Sequence, residues 1–141
     1  MAVFIHQDDK GYLSLRGPSG DEGFVAIRAE WISGSVDKTV FVAARPYRVT
    51  DIRARVDTAG TDTTSASCIV RKVASGSAIT AGTALHTGGI NLSSSTTVHQ
   101  TLTLSTTSTD LDLATGDALV LDFVGVTTAA AGSVTIMLAP K

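Results

Sequence analysis

The chain has 141 residues, among them 20 Thr, 14 Ser and 13 Gly; 17% are charged and 5% aromatic, while 43% are hydrophobic. Low charge with ample Val, Ile and Leu argues against disorder, the length fits one domain with a real core, and no apolar run reaches the roughly 18 residues that span a bilayer. A net charge of −2 withholds the basic face that a nucleic-acid binder presents.

The opening MAVFIHQDDK carries an acidic pair where a signal peptide needs a basic region and a long apolar stretch, so export through a membrane is not expected. GPSG at 17–20 and Gly23 break regular structure. VAIRAEWIS, 25–33, is the best helical window but alternates equally well as a strand, and reads as extended or irregular. Residues 1–35 are therefore expected to form an N-terminal arm, followed by a domain over 36–141. The arm's apolar residues Val3, Phe4, Ile5, Tyr12 and Leu13 can drape over a neighbour or pack on the chain's own domain.

From Lys38 the texture turns to period two. TVFVAA, 39–44, is rich in β-branched residues and is ended by Pro46. Ile52, Ala54 and Val56 then alternate with Arg53 and Arg55, the pattern of a half-buried strand. Ser67–Val73 is the next strand. Glycines break 75–95 into short pieces. Val98, Gln100, Leu102 and Leu104 alternate with polar residues, and Leu119, Leu121 and Phe123 share one face with Asp122 on the other. Val134, Ile136 and Leu138 close the chain before Pro140. Six to eight short strands with turns every 8–15 residues and no intervening helices predict an all-β fold, an antiparallel sandwich or barrel.

Candidate chemistry is thin. Cys68 stands alone, which excludes an intrachain disulfide, and in SASCIVRKV it reads as a small buried hydrophobe rather than a nucleophile. His6, His86 and His99 lack metal-ligand spacing. Asp110, Asp112 and Asp117 begin like a calcium loop, but Leu121 stands where the bidentate Glu belongs. Gly17, Gly20 and Gly23 do not match the dinucleotide fingerprint. The Thr array over 101–109 covers one strand only, too little for an ice-binding surface, and few aromatics are left for a sugar platform. No enzyme, cofactor or metal is expected. The one charge concentration is Arg45, Arg48, Arg53 and Arg55 around Asp51, either a solvated strand face or a surface that holds acidic groups of a protein partner. Residues 1–56 hold 15 of the 24 charged side chains, so partner contacts are expected there.

Three stretches, VFVAARPYRVTDIRARVDTAGT, SGSAITAGTAL and TDLDLATGDALVLDFVG followed by AAGSVTIMLAP, resemble the small capsid cement, or decoration, proteins of tailed bacteriophages over residues 36–140. The resemblance lies in texture and order, not in chemistry-bearing motifs. It implies a jelly-roll-like sandwich on the outside of the virion head, assembled in the host cytoplasm. It also implies homo-oligomers, a homodimer favoured and a trimer possible, that lock major capsid protein subunits against internal DNA pressure. Direct contact with nucleic acid or membrane is not expected. The alternative is a receptor- or carbohydrate-binding sandwich, such as a fibre tip. Val3, Phe4, Ile5, Tyr12, Leu13, Trp31, Arg53 and Arg55 are the candidate capsid or oligomer contacts.

Overall fold

The computed structural model describes residues 4–7, 13–16, 24–62, 65–94 and 97–141. Its strands are β1 (Phe4–Gln7), β2 (Leu13–Arg16), β3 (Val25–Trp31), β4 (Lys38–Val42), β5 (Tyr47–Thr58), β6 (Ser67–Val73), β7 (Thr83–Ala84), β8 (Ile90–Asn91), β9 (Gln100–Thr101), β10 (Asp112–Leu113), β11 (Ala118–Val124) and β12 (Ala131–Pro140). Single 3-10 turns at Ile79–Ala81 and Ser108–Leu111 are the helical elements among the described residues.

β1 and β2 form an antiparallel hairpin with Ile5 opposite Leu15. The other strands build two antiparallel sheets. One runs β10-β5-β12-β3, with β9 also on β5; the other runs β4-β11-β6-β7, with β8 also on β6. The first four sandwich strands, β3 to β6, alternate between the sheets, and the chain closes on itself in nested pairs. β3 and β4 pair with β12 and β11, while β5 and β6 pair with the short strands between them. That winding is a jelly roll, and it answers the strand order that alternation alone left open.

Period two explains the core. β5 turns Val49, Ile52, Ala54 and Val56 inward, and β12 turns Val134, Ile136 and Leu138 to meet Leu119, Leu121, Cys68 and Val70 of the facing sheet. Val49 and Ile52 are three residues apart yet both point in. A bulge at Thr50 makes this possible: Val49 opposes Leu138, Asp51 opposes Met137, and Thr50 is the extra residue. Trp31 lies in this core with its ring edge-on to Phe123, centroids 6.4 Å apart. Gly132 faces it across the strand pair. A Cβ there would come within 2.6 Å of the indole and nearer still to the Arg55 carbonyl oxygen, so only glycine fits.

Two expectations are corrected here. Val25–Trp31, placed in the lead-in by sequence, is an edge strand of the sandwich, paired with β12 from Val25–Leu138 to Trp31–Gly132. The expected boundary at residue 35 therefore falls after the first sandwich strand. The alternation from Val98 to Ser105 yields only the two-residue β9 and a single bridge, His86–Leu104. There the backbone binds the 85–87 segment instead, through Thr87 N–H to Thr103 O and Ser105 N–H to Leu85 O.

Candidate functional site

The predicted contacts scatter. Val3 and Tyr12 lie outside the described residues. Phe4, Ile5 and Leu13 lie on the β1–β2 hairpin, whose backbone forms a sheet separate from the sandwich. Trp31 is 2% exposed, because the inward parity of β3 carries it into the core, so it is not a surface contact. Arg53 and Arg55 do face outward on β5. Each is engaged by a carboxylate two residues away on its own strand face: Arg53 Nε lies 2.7 Å from Asp51, and Arg55 pairs with Asp57. Arg48 on the same face reaches across to Asp112 at 3.2 Å. Three of the cluster's four arginines are thus held in ion pairs along this strip.

The other residues singled out are spent locally. Asp112 also takes Lys141 Nζ at 2.6 Å, and that hydrogen bond, reinforced by Arg48 and Lys72, holds its carboxyl below the ordinary carboxylate range. Asp110 accepts from Ser105 Oγ, and Asp117 accepts from the Ala114 N–H to close the turn before β11. Asp110 and Asp117 therefore brace separate turns, while Asp112 ties β10 to Arg48 and Lys141. Among the described residues no group of three or more His, Cys, Asp or Glu is placed to hold a metal ion. None of their helices is long and apolar enough to cross a membrane. Cys68 is fully buried, and burial, with Asp122 adding to it, pushes its thiol up to about 12. A thiol held protonated is a poor nucleophile.

Alternation missed three features. The first is an ion pair between a half-buried arginine and a buried aspartate on the outer face of the β11 sheet. Arg71 Nε donates to Asp122 at 2.6 Å and its Nη1 to the Gly82 carbonyl at 3.0 Å. The segment 74–82, with its 3-10 turn, folds over this face and covers Val73 and Val120 as well. The second is His86. On the edge of β6, β7 stops at Arg71 and β8 starts at Cys68. Leu85 N–H bonds the Val70 carbonyl in the gap, and His86 Nε2 accepts the Val70 N–H at 3.0 Å. An imidazole stands in for a backbone carbonyl, which places the ring's proton on Nδ1. Burial lowers its pKa below the usual value.

The third feature is one end of the sandwich. The β3–β4 turn runs beside the β11–β12 turn, joined by Gly34 N–H to Thr127 O, Thr127 Oγ1 to Ser35 O and Ala129 N–H to Ser33 Oγ. Asp37 accepts from the Phe123 N–H, and Asp62 from the Val126 N–H. On these tied loops Ile32, Val36 and Val126 are exposed by 70%, 75% and 59%. Large apolar side chains on loops that are themselves hydrogen-bonded form a presented surface rather than a frayed one. The only indication in the sequence was Ile and Val standing inside turn stretches.

A polar groove of about 540 Å³ also crosses the outer face of the β12 sheet, lined by Arg28, Arg55, Asp57, His99, Ser133 and Thr135. It exists because the outward residues of β12 are short while those of β3 and β5 are long.

No family model and no curated protein matches this chain. A chain of the solved cyanophage Pam1 capsid asymmetric unit is similar over 84% of this chain and 84% of its own length, with a TM-score of 0.48 and 14% identity. A likeness at that level assigns neither family nor function.

Proposed function

We propose that the chain is a structural virion protein that binds the outside of a phage head and cements major capsid subunits. In this reading it works as a homo-oligomer, by surface complementarity rather than by chemistry. Jelly rolls serve both virion shells and lectins, so the fold by itself does not choose. The observation that carries the reading is the apolar loop end, Ile32, Val36 and Val126. Burying such side chains against a partner is worth about 1.5–3 kcal/mol each, and many copies on a repeating lattice multiply a modest site into firm attachment. The sequence resemblance to cement proteins supports the same reading.

The test is co-sedimentation with empty expanded capsids. The triple variant Ile32→Asp, Val36→Asp, Val126→Asp is expected to stay folded by circular dichroism and to lose capsid binding. Full binding by the folded variant would overturn the assignment. A truncation that probes the N-terminal segment must stop at residue 23, because removing residues 1–35 also removes β3 and Trp31. The groove over Ser133 and Thr135 favours a second reading, a sugar-binding module, which specific retention on a glycan array would support and uniform non-binding would exclude.

A further inference from the structure

Among the described residues, β3 pairs with β12 on one side only. In β5, Ile52 and Val56 spend their carbonyls on Leu102 and Thr97, away from β12. The intervening residues Arg53 and Arg55 therefore bond Thr135 and Ser133, and β12 turns Gly132, Val134 and Ile136 toward β3. It follows that Trp31, Ala29 and Ile27 use their backbone groups on β12, while Ala26, Arg28 and Glu30 aim theirs at the free edge. The Glu30 carbonyl confirms the parity, since it takes Lys38 Nζ rather than a β12 amide. No described strand pairs on that side. The inward side chains Val25 and Ile27 remain only half-buried at this border.

We propose that a second copy of the chain pairs with this edge, β3 against β3 antiparallel about a two-fold axis at Ala29. That register puts Arg28 of each copy opposite Glu30 of the other. The parity agrees: both residues point their N–H and C=O outward, so each pair exchanges two backbone hydrogen bonds. A two-fold shifted by one residue toward the N-terminus would set Arg28 against Arg28, and one shifted the other way Glu30 against Glu30. Charge thus selects a single register. Arg28 and Glu30 already pair within one strand at 2.9 Å with both side chains about two-thirds exposed, and they exchange partners across the axis at little cost. The contact is isologous and closes at two copies. The Lys38 contact takes one lone pair of the Glu30 carbonyl, and the second remains for the partner's amide. The inference rests on the homo-oligomeric part of the function proposed above and not on capsid binding, so it is tested without capsids.

The experiment is sedimentation equilibrium of the full chain at micromolar concentration. A dimer is expected. Arg28→Pro removes one outward N–H, tolerated on an edge strand, and should raise the dimer dissociation constant at least about tenfold. Glu30→Arg should do the same by setting Arg against Arg. The double variant Arg28→Glu, Glu30→Arg restores the pairing and should restore the dimer, a rescue that general destabilisation cannot mimic. A chain lacking residues 1–23 should still dimerise. A monomeric or trimeric wild type, a dimer indifferent to Glu30→Arg, or loss of the dimer on removing the first 23 residues would each overturn the proposal, the last by naming the hairpin as the occupant. A dimer that forms while capsid binding fails would leave this inference standing and sink the capsid reading.

Discussion

The two outer faces of the sandwich share a pattern and differ in fate. On the β12 sheet, the outward residues of β5 and β3 are charged, exposed and paired within their own strands. On the β11 sheet, the outward residues Val73, Val120 and Asp122 are buried. Alternation is the same on both. The difference is the segment 74–82, which folds over one face and turns a solvent face into a second, small interior. A strand's period says which residues share a side; only the loops decide whether that side meets water.

Breaking the Arg71–Asp122 pair gives the sharpest contrast. Asp122→Ala leaves Arg71 under the 74–82 segment with one bond, to Gly82, and should cost about 3 kcal/mol in urea unfolding. On the other face Glu30→Ala should cost less than about 0.5 kcal/mol, because both side chains of the Arg28–Glu30 pair are about two-thirds exposed and screened. Equal costs would erase the distinction between the faces.

His86 comes next. His86→Leu strands the buried Val70 N–H and should cost about 1–3 kcal/mol. The native state favours the neutral imidazole, so the unfolded chain binds more protons once pH drops below the ordinary histidine value of about 6.5. Stability is then complete above that value and falls as pH is lowered beneath it, down to the depressed folded-state pKa. The urea midpoint between pH 7 and 5 should decline in the wild type and be flatter in His86→Leu. A parallel decline in both would assign the effect elsewhere.

Apolar residues on the two faces offer a finer comparison. Val120→Thr places a hydroxyl in the covered interior and should cost about 1–2 kcal/mol. Met137→Thr, at a position 37% exposed on the open face, should cost under about 0.5 kcal/mol by thermal unfolding. The smallest effect belongs to Asp112. Its lowered pKa contributes stability above the usual carboxylate value that is lost as pH falls through the folded value, and Lys141→Ala should shrink that acid-limb loss.

Much of the fold was legible residue by residue. Ile52, Ala54 and Val56 against Arg53 and Arg55, and Val134, Ile136 and Leu138 before Pro140, are strands in the structure because side-chain direction alternates with chain position alone. β3 was legible only as an extended segment, since seven residues with Trp31 at the end fit a strand or an arm equally well until β12 is present to pair with. The candidate site was less legible. Arg53 and Arg55 are where alternation puts them, but their charge is taken up by Asp51 and Asp57. Trp31 was misplaced because burial at an edge depends on what lies across the sheet, here Gly132 and Phe123. The apolar loop end was missed because Ile32 and Val126 are ninety-four positions apart.

By itself the sequence determined that this chain folds as strands and which side chains share a face, and it admitted no disulfide, because those properties follow from spacing and from a single cysteine. Tertiary structure alone decided the winding into a jelly roll, the burial of Asp122 against Arg71, the use of His86 as a substitute carbonyl and the meeting of two distant turns at one apolar end. Each of these depends on which segments face one another across the sandwich, and contacts between residues far apart in the chain leave no local periodicity to read.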